Sequence, residues 1–502
     1  MEKSYSYYMD SIKPTELSYG LLAYGLFAEK LPPIFSSVKF YDWAKKNKTL
    51  IKSEPRGYIY YESIRNVNIP RQLGIPNPFS YACLCFTLEQ YWKDLQKYFK
   101  EITESHSYKI SRIHIRKKIC NESLFEMNYK NINDDGDPLR KLSIGKKYVV
   151  KSDITSCYPS IYSHSISWAL LGKDEAKKES SNKNLWTNII DYNVRNIKHG
   201  ETNGLLIGPH SSNLLSEIIL TRVDQNLYEK GYRFIRNIDD YCCVTESYEQ
   251  AESFINDLVS ELKNFNLSVN QKKTEILKLP LSAEDEWVHN LGVVPVEGKY
   301  GVIELKSVKR YLDMSLQAMK DNNGNAAPIN YAIKVLKSLN VNKRVGDYIV
   351  DTVLHWAIIY PYLLPLLSDY IFNCYSVDTS LIQEFASLLY LDSIKRNNYE
   401  GISYALFFCI KYNVTLTSLN CDDILEGDCI SKLLYYLYCM KFNIKDGKKV
   451  LVEHAEKLLE FDMNEDWLFV YEVLNQESLR GKGLWINLKR NGVSFIKPEY
   501  CS

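Results

Sequence analysis

The sequence predicts an α+β fold, with strands and helices mixed over residues 51–300 and helices alone over residues 301–502. Short runs of β-branched and aromatic residues, which favour strands, precede acidic residues in the first of these regions. In the second region apolar residues recur at helical spacing between short polar turns, which is typical of stacked helical hairpins in a HEAT-like solenoid. A chain of 502 residues is too long for one ordinary core, so two or three domains are expected.

Two adjacent carboxylates, Asp239 and Asp240, lie between two strand-like runs at residues 234–238 and 241–244. The polar step between the runs predicts a tight hairpin turn. Two acids at a hairpin tip repel each other, so the arrangement is costly unless a cation lies there. Mg²⁺ is the natural candidate, with Mn²⁺ as the alternative, because it takes hard oxygen ligands and shares them with substrate phosphates. For an isolated pair, a solvated Asp-Asp turn is the better interpretation.

A second acidic segment upstream changes that interpretation. A strand-like run at residues 148–152 ends at Asp153, and an aromatic residue, Tyr158, follows five residues later. Phosphoryl transfer with two metal ions needs carboxylates from separate strands that converge on one point. The sequence therefore predicts that Asp153, Asp239 and Asp240 form one catalytic, metal-binding site.

These motifs resemble the palm of a reverse transcriptase. The segment from Asp153 to Tyr158 resembles the first palm motif, in which the aspartate binds metal and the aromatic residue excludes a ribose 2′-OH. Residues 237–240 resemble the Tyr-x-Asp-Asp motif, with Asn237 in place of the usual tyrosine. Residues 267–274 match Leu-x-x-Asn-x-x-Lys-Thr, so the resemblance places Lys273 near the leaving pyrophosphate. Residues 287–292 resemble the primer-grip turn.

Two further segments resemble the nucleotide-binding parts of these enzymes. Residues 64–78 resemble the fingers of group II intron and related reverse transcriptases, where Arg71 fits the basic residue that meets the triphosphate and Arg65 is its companion. A surface-exposed basic hairpin is an equally good interpretation of that segment alone. Residues 202–216 resemble the Pro-Gln-Gly motif, with Ile207 in place of the glutamine. Gly208 there allows the backbone to approach a nucleotide closely.

Residues 16–33 resemble the lead-in of the abortive-infection (Abi) reverse transcriptases of bacteria, which include AbiK-like polymerases. The resemblance implies an N-terminal helical lead-in at 1–50, fingers and palm at 51–300, and an α-helical region at 301–502 in place of a thumb. It also implies antiphage defence, polymerisation of dNTPs without a template, and ring-like trimers or hexamers. The single-stranded DNA product is expected to be attached covalently to a protein hydroxyl.

The departures from the motifs, Ile207 and Asn237, remove two groups that usually order nucleotide and template, which favours synthesis without a template. A net charge of +1 agrees, because a long duplex needs many unpaired Lys and Arg side chains. Two alternatives stay open. One is a conventional RNA-templated reverse transcriptase, and the other is a catalytically silent palm that serves as a nucleic-acid-binding scaffold.

A priming tyrosine must reach the palm and withdraw as the product grows, which favours a mobile segment. Five of the 39 tyrosines are candidates. Three lie at the N-terminus and two precede a glycine: Tyr5, Tyr7, Tyr8, Tyr19 and Tyr24. For any one of them, packing in an apolar cluster is the more frequent role.

The remaining composition indicates a soluble, cytoplasmic protein with no membrane contact. The N-terminus lacks the apolar core of a signal peptide, and the most apolar run, residues 348–367, is interrupted by Asp351, Pro361 and Pro365. The twelve cysteines include no Cys-x-x-Cys pair, so they are expected to pack as small apolar residues rather than to bind zinc.

Overall fold

The computed structural model describes residues 3–65, 69–118, 125, 136–282, 285–293, 303–337, 339–419, 422–479 and 481–500. Its six strands form two sheets. Strands β1 (Tyr58–Arg65) and β2 (Ile69–Pro76) pair as an antiparallel hairpin. Strands β3 (Tyr148–Asp153), β4 (Arg233–Asn237), β5 (Asp240–Thr245) and β6 (Glu275–Lys278) form an antiparallel sheet in the order β4-β5-β3-β6.

The sheet is closed on one face by a helix and widened at one edge by a single bridge. Apolar residues of β3 and β5 such as Val150 and Cys243 are buried, and helix Tyr248–Asn264 packs on these two strands. At the outer edge the Arg112 amide donates to the Arg236 carbonyl at 2.7 Å, which adds residues 110–112 beside β4. The opposite face carries Lys151 and Asp153, and the helix Pro138–Leu142 packs at its β4 edge.

Helices surround the two sheets. In the first part of the chain they are Tyr5–Asp10, Pro14–Ala23, Val38–Lys46, Pro78–Gln90, Trp92–Thr103, Pro138–Leu142, Cys157–Ser160, His164–Leu171, Lys173–Lys178, Trp186–Asn196, Ser211–Glu229, Tyr248–Asn264 and Glu286–Val293, with 3₁₀ turns at Lys48–Leu50 and Gln271–Lys273. The N-terminal helices are not separate from the rest, because Pro14–Ala23 packs on Pro78–Gln90 and Tyr5–Asp10 packs on Trp92–Thr103.

The region after residue 303 is helical, as predicted. Its helices are Leu305–Asp321, Ala327–Leu336, Lys343–Ile359, Leu364–Leu367, Thr379–Lys395, Tyr399–Tyr412, Asp422–Leu425, Cys429–Lys441, Lys445–Phe461, Trp467–Val473 and Gly483–Arg490. Short 3₁₀ segments lie at Pro361–Leu363, Asn464–Asp466 and Pro498–Tyr500, and a π-helical turn lies at Ser368–Phe372. Helices that follow each other pack together, such as Thr379–Lys395 with Tyr399–Tyr412, because each buries one apolar face against the next.

The helical region folds back onto the beginning of the chain. The Trp467 indole donates to the carbonyl of Ile75 in β2 at 3.4 Å, and the Trp43 indole donates to Asn487 at 2.8 Å. Phe35 and Ile496 form a backbone bridge. The C-terminal region is thus in direct contact with the hairpin β1-β2 and with the N-terminal segment.

One local expectation is wrong. Residues 287–292 do not form a turn but lie within the helix Glu286–Val293, where the carbonyl of Asp285 accepts from the amides of Val288 and His289. The domain boundaries at residues 50 and 300, and the place of the helical region as a substitute for a thumb, stay predictions. Within the described ranges, no helix is long and apolar enough to cross a membrane.

Candidate active site

The sheet register brings the three predicted carboxylates together. Asp153, the last residue of β3, is the cross-strand partner of Asp240, the first residue of β5. Asp239 lies in the turn between β4 and β5, and its carbonyl accepts from the amide of Ile154 at 3.2 Å. The carboxylate oxygens of the three aspartates lie within 4.8 Å of one another, and among the described residues they are the one acidic, His or Cys group placed to hold a metal ion.

The turn that contains Asp239 has a strained backbone, and a buried arginine side chain stabilises it. Ile238 has a φ of +60°, a conformation that is unfavourable for a β-branched residue. Arg236, whose side chain is fully buried, donates from Nη1 to the Ile238 carbonyl at 2.7 Å. The same guanidinium forms ion pairs with Glu217 at 2.7 Å and Asp224 at 2.8 Å. A buried arginine thus connects the Asp239 turn to the helix Ser211–Glu229.

Sequence reasoning missed this network. The signal was present, because Arg236 directly precedes the acidic motif and the acids at 217 and 224 lie on one face of a helix. Burial raises the pKa of Asp224 to about 6 while the Arg236 charge opposes the shift. The hydroxyl of Tyr5 donates to Glu217 at 2.9 Å, so the N-terminal helix also reaches the network.

The three carboxylates repel each other in the absence of a cation. Burial, the Asp153 charge and the Asp240 charge, in that order, raise the pKa of Asp239 to about 6. Lys273 offsets part of the charge, since its Nζ lies 2.8 Å from Oδ2 of Asp153, and this contact raises the pKa of the lysine. Asn270 donates its side-chain amide to the same oxygen at 3.2 Å, a contact that the motif match had not assigned.

Arg71 is brought to the carboxylates by the hairpin β1-β2. Partial desolvation and the neighbouring Arg65 charge lower the pKa of Arg71, while the charge of Asp239 acts in the opposite sense, so the guanidinium lies within electrostatic range of the carboxylates. Arg71 pairs across the hairpin with Ser63, and Arg65 pairs with Ile69 at the end of β1. Both arginines are exposed.

Tyr158 lies in the short helix Cys157–Ser160 just after the first acidic motif. Its ring is half-buried and packs against the core, and its hydroxyl donates to Oδ1 of Asn213 at 2.6 Å. Burial raises the pKa of the phenol, so it stays protonated at neutral pH.

Gly208 lies where the backbone of the palm packs closely against strand β2 of the hairpin. It has a φ of +129°, and a Cβ built on it would lie 3.2 Å from the carbonyl oxygen of Gly74 in β2. The carbonyl of Ile207 accepts from the Gly74 amide at 2.8 Å. A side chain at residue 208 would therefore crowd β2, and the prediction that Gly208 contacts a nucleotide stays a prediction.

A cavity of about 1240 Å³ lies on the face of the sheet opposite the helix Tyr248–Asn264. Strand residues that line it include Lys151, two positions before Asp153 and so on the same face of β3, and Asn237 beside Asp240. Six basic side chains and two acidic ones line it: Arg112, Arg140, Lys146, Lys147, Lys151, Lys278, Asp137 and Asp285. The local excess of positive charge suits a nucleic-acid strand although the whole chain is nearly neutral.

An antiparallel sheet that presents three converging carboxylates, with a basic hairpin facing them, defines a polymerase palm with its fingers. Residues 86–295 match the family model for reverse transcriptase (RNA-dependent DNA polymerase). The chain therefore contains a reverse transcriptase domain followed by a helical region, and it is a nucleotidyltransferase of the polymerase class. The predicted fold class, a reverse transcriptase domain followed by a helical region, and the predicted enzyme class are confirmed.

Similar solved structures include three telomerases. Apo telomerase from Candida tropicalis has a TM-score of 0.31 at 11% identity, with 74% of this chain and 68% of that chain covered. Telomerase from Candida albicans, in complex with a TWJ fragment of telomeric RNA, has a TM-score of 0.30 at 12% identity, with 86% and 68% covered. The corresponding complex from Candida tropicalis has a TM-score of 0.31 at 12% identity, with 87% and 68% covered. TM-scores of this size support no conclusion about function. No curated protein sequence matches the chain significantly.

We predict that Asp239→Asn abolishes nucleotide incorporation. The change keeps the side-chain shape and removes a charge that holds metal, so the rate should fall by about 10³-fold or more. Incorporation of labelled dNTP measures the rate, and circular dichroism checks the fold. Asp313→Asn, at an exposed position of the helix Leu305–Asp321, is the matched control and should be fully active. Full activity of Asp239→Asn contradicts the assignment.

We further predict that Mg²⁺ stabilises the protein more at a pH of about 8 than at about 5. The folded pKa of Asp239, about 6, lies above its ordinary value of 3.8, so the metal-free protein loses stability as pH rises through 6. The loss is of the order of 2 kcal/mol, and a cation should reverse it. Thermal unfolding with and without Mg²⁺ measures the difference, which Asp239→Asn should remove. Equal stabilisation at both pH values argues against a metal site here.

Proposed function

We propose that this chain polymerises deoxynucleotides by nucleotidyl transfer at Asp153, Asp239 and Asp240, without a template and from one of its own tyrosines. The convergence of the three carboxylates carries the proposal, because a bound divalent cation would relieve their mutual repulsion. The absence of a template and the protein primer are the finer parts, and they rest on different observations.

Divalent metal fits the carboxylate group. All donors are hard oxygens, and the raised pKa of Asp239 marks a charge surplus that a cation would relieve. Asp153 and Asp239 would hold the ions, with Asp240 beside them. Mg²⁺, or Mn²⁺ in its place, would supply Lewis-acid activation and neutralise charge on the phosphate oxygens.

Different side chains around the carboxylates would contact different parts of the nucleotide. Arg71 and Arg65 on the hairpin would meet the triphosphate of the incoming dNTP. Lys273, already next to Asp153, would accompany the departing pyrophosphate. Tyr158 would lie against the sugar, where its ring excludes a 2′-OH. The arginines and the lysine would supply positive charge for the phosphate groups, and the tyrosine would supply the ring that packs on the sugar.

Two substitutions in the motifs support synthesis without a template. Ile207 stands where a glutamine would offer a polar side chain, and its half-buried side chain packs against the apolar core. Asn237 stands where a tyrosine ring would line the cavity. The basic lining of that cavity suits a single product strand, and the net charge of only +1 gives the rest of the chain little excess positive charge for a long duplex.

The candidate primers differ in exposure. Tyr5 is 3% exposed and bonded to Glu217 within a helix, so the expectation that it lies in a mobile segment is wrong. Tyr8 packs on His114, and Tyr19 and Tyr24 lie within hydrogen-bond distance of each other at 3.4 Å. Tyr7 is 50% exposed, which favours it among the five.

The role in antiphage defence, the ring-like trimer or hexamer and the cytoplasmic location rest on the resemblance to the abortive-infection group. The N-terminal lead-in at residues 16–33 and the helical region after the palm support them. Mass measurement of the native protein tests the oligomer, and phage challenge of cells that carry Asp239→Asn tests the defence role.

Incubation of the purified protein with Mg²⁺ and labelled dNTPs tests the main proposal. DNA should form without added RNA, migrate with the protein in a denaturing gel and be released by protease. Mass spectrometry after nuclease trimming should find a residual nucleotide on Tyr7, and Tyr7→Phe should abolish the adduct. Product whose length follows an added RNA indicates a conventional reverse transcriptase. Nucleic-acid binding without incorporation indicates a silent scaffold.

We also predict that Tyr158→Ala admits ribonucleotides. Loss of the ring should raise the use of rNTP relative to dNTP by about tenfold or more, with dNTP use retained. Tyr158→Phe keeps the ring and loses only the bond to Asn213, so its discrimination should match the parent protein. Tyr192→Ala, at an exposed tyrosine of the helix Trp186–Asn196, is the control for aromatic loss elsewhere. An unchanged ratio in Tyr158→Ala leaves that residue a packing role only.

A further inference from the structure

Glu400, in the first turn of the helix Tyr399–Tyr412, is a buried acid that reaches the fingers from the C-terminal region. Only 1% of the residue is exposed. Its Oε1 accepts from the hydroxyl of Ser63 at 3.0 Å, and its Oε2 accepts from the amide of Ile64 at 2.6 Å. Both donors belong to β1, so one carboxylate grips two consecutive residues of the hairpin.

Burial of the Glu400 carboxylate costs free energy of desolvation. Burial raises the pKa of Glu400 to about 7, Asp428 adds to the shift, and the hydrogen bonds to β1 and the Lys30 charge oppose it. A carboxylate is retained in such surroundings only where its hydrogen bonds are satisfied. The hydroxyl of Ser63 and the amide of Ile64, both in the hairpin, donate to the carboxylate.

Capping of its own helix does not account for Glu400. An acidic residue in a first turn is favourable in general. Here the side chain of Asn398 caps the helix by accepting from the Gly401 amide at 3.1 Å. The Glu400 carboxylate points away from its own helix end and onto β1.

The gripped residues lie next to the arginines of the site. Ser63 is the cross-strand partner of Arg71, and Ile64 directly precedes Arg65. The opposite strand of the hairpin is bonded to the palm through Gly74 and Ile207. The hairpin is thus held by the palm at β2 and by the helical region at β1.

We propose that Glu400 is a positioning residue for nucleotide binding: it fixes the hairpin at the place where Arg65 and Arg71 meet the triphosphate of the incoming dNTP. The inference rests on the proposed polymerase function, and it gives the C-terminal helical region a part in that reaction. Glu400 acts through the hairpin and touches no substrate.

Glu400→Gln tests the proposal by its effect on KM and kcat separately. Loss of a charge-assisted hydrogen bond should raise the KM for dNTP about tenfold, because the arginines are no longer held in place before binding. The kcat should stay within about twofold, since the carboxylates are untouched. Glu384→Gln, at an exposed position of the neighbouring helix Thr379–Lys395, is the matched control and should leave both constants unchanged.

Ser63→Ala is the second variant, and it tests the positioning role of Glu400 if Glu400→Gln does not fold. It removes one of the two hydrogen bonds and should raise the KM about threefold. Hydrogen exchange of the Ile64 amide gives a readout that does not depend on activity, and exchange should be faster in Glu400→Gln than in the parent protein and the control.

The outcomes separate this proposal from the one on which it rests. A parent protein that incorporates no dNTP overturns the polymerase function and this inference with it. An active parent whose variants keep the parental KM overturns only the role of Glu400, whatever the exchange rate of Ile64. A loss confined to kcat also contradicts positioning of the nucleotide.

Discussion

The buried ion pairs of Arg236 with Glu217 and Asp224 are the interaction on which the active site depends. A guanidinium without solvent is tolerable only because two carboxylates and the Ile238 carbonyl satisfy it. In return it holds a β-branched residue at positive φ, and that conformation presents Asp239 to Asp153. Removal of one partner from such a network leaves an uncompensated charge, which typically costs about 3–5 kcal/mol. The conformation of the Asp239 turn is therefore set by the protein interior rather than by the turn sequence alone.

The fingers hairpin follows a similar principle at a larger scale. Its two strands of eight residues form a sheet of their own, and an isolated two-stranded hairpin is marginally stable in water. It is stabilised by groups far away in the chain, with Gly74 bonded to Ile207 of the palm and Ile75 bonded to Trp467 of the helical region. Contacts of this kind make the palm, the fingers and the C-terminal region one interdependent unit around the carboxylates.

Residue patterns predicted the site to the extent that its chemistry is local. Asp153, Asp239 and Asp240 are found where strand ends were expected, because period-two burial and a tight turn are visible in the sequence. Lys273 also contacts Asp153 as its motif suggested. The helix at residues 286–293 was missed, because a motif match says nothing of local helix formation. Tyr5 is not part of a mobile end as expected. It is buried against Glu217, a partner more than two hundred residues away that local sequence patterns do not reveal.

By itself the sequence determined which carboxylates and which lysine belong to the candidate active site, and that a helical region follows them along the chain. Tertiary structure alone decided that Arg236 lies beneath the turn, that Gly208 touches β2, and that Glu400 grips β1. The physical reason is the range of the forces involved. Hydrophobic periodicity and turn preference act over a few residues, whereas the pairing of a buried charge depends on which distant elements the folded core brings into hydrogen-bond distance.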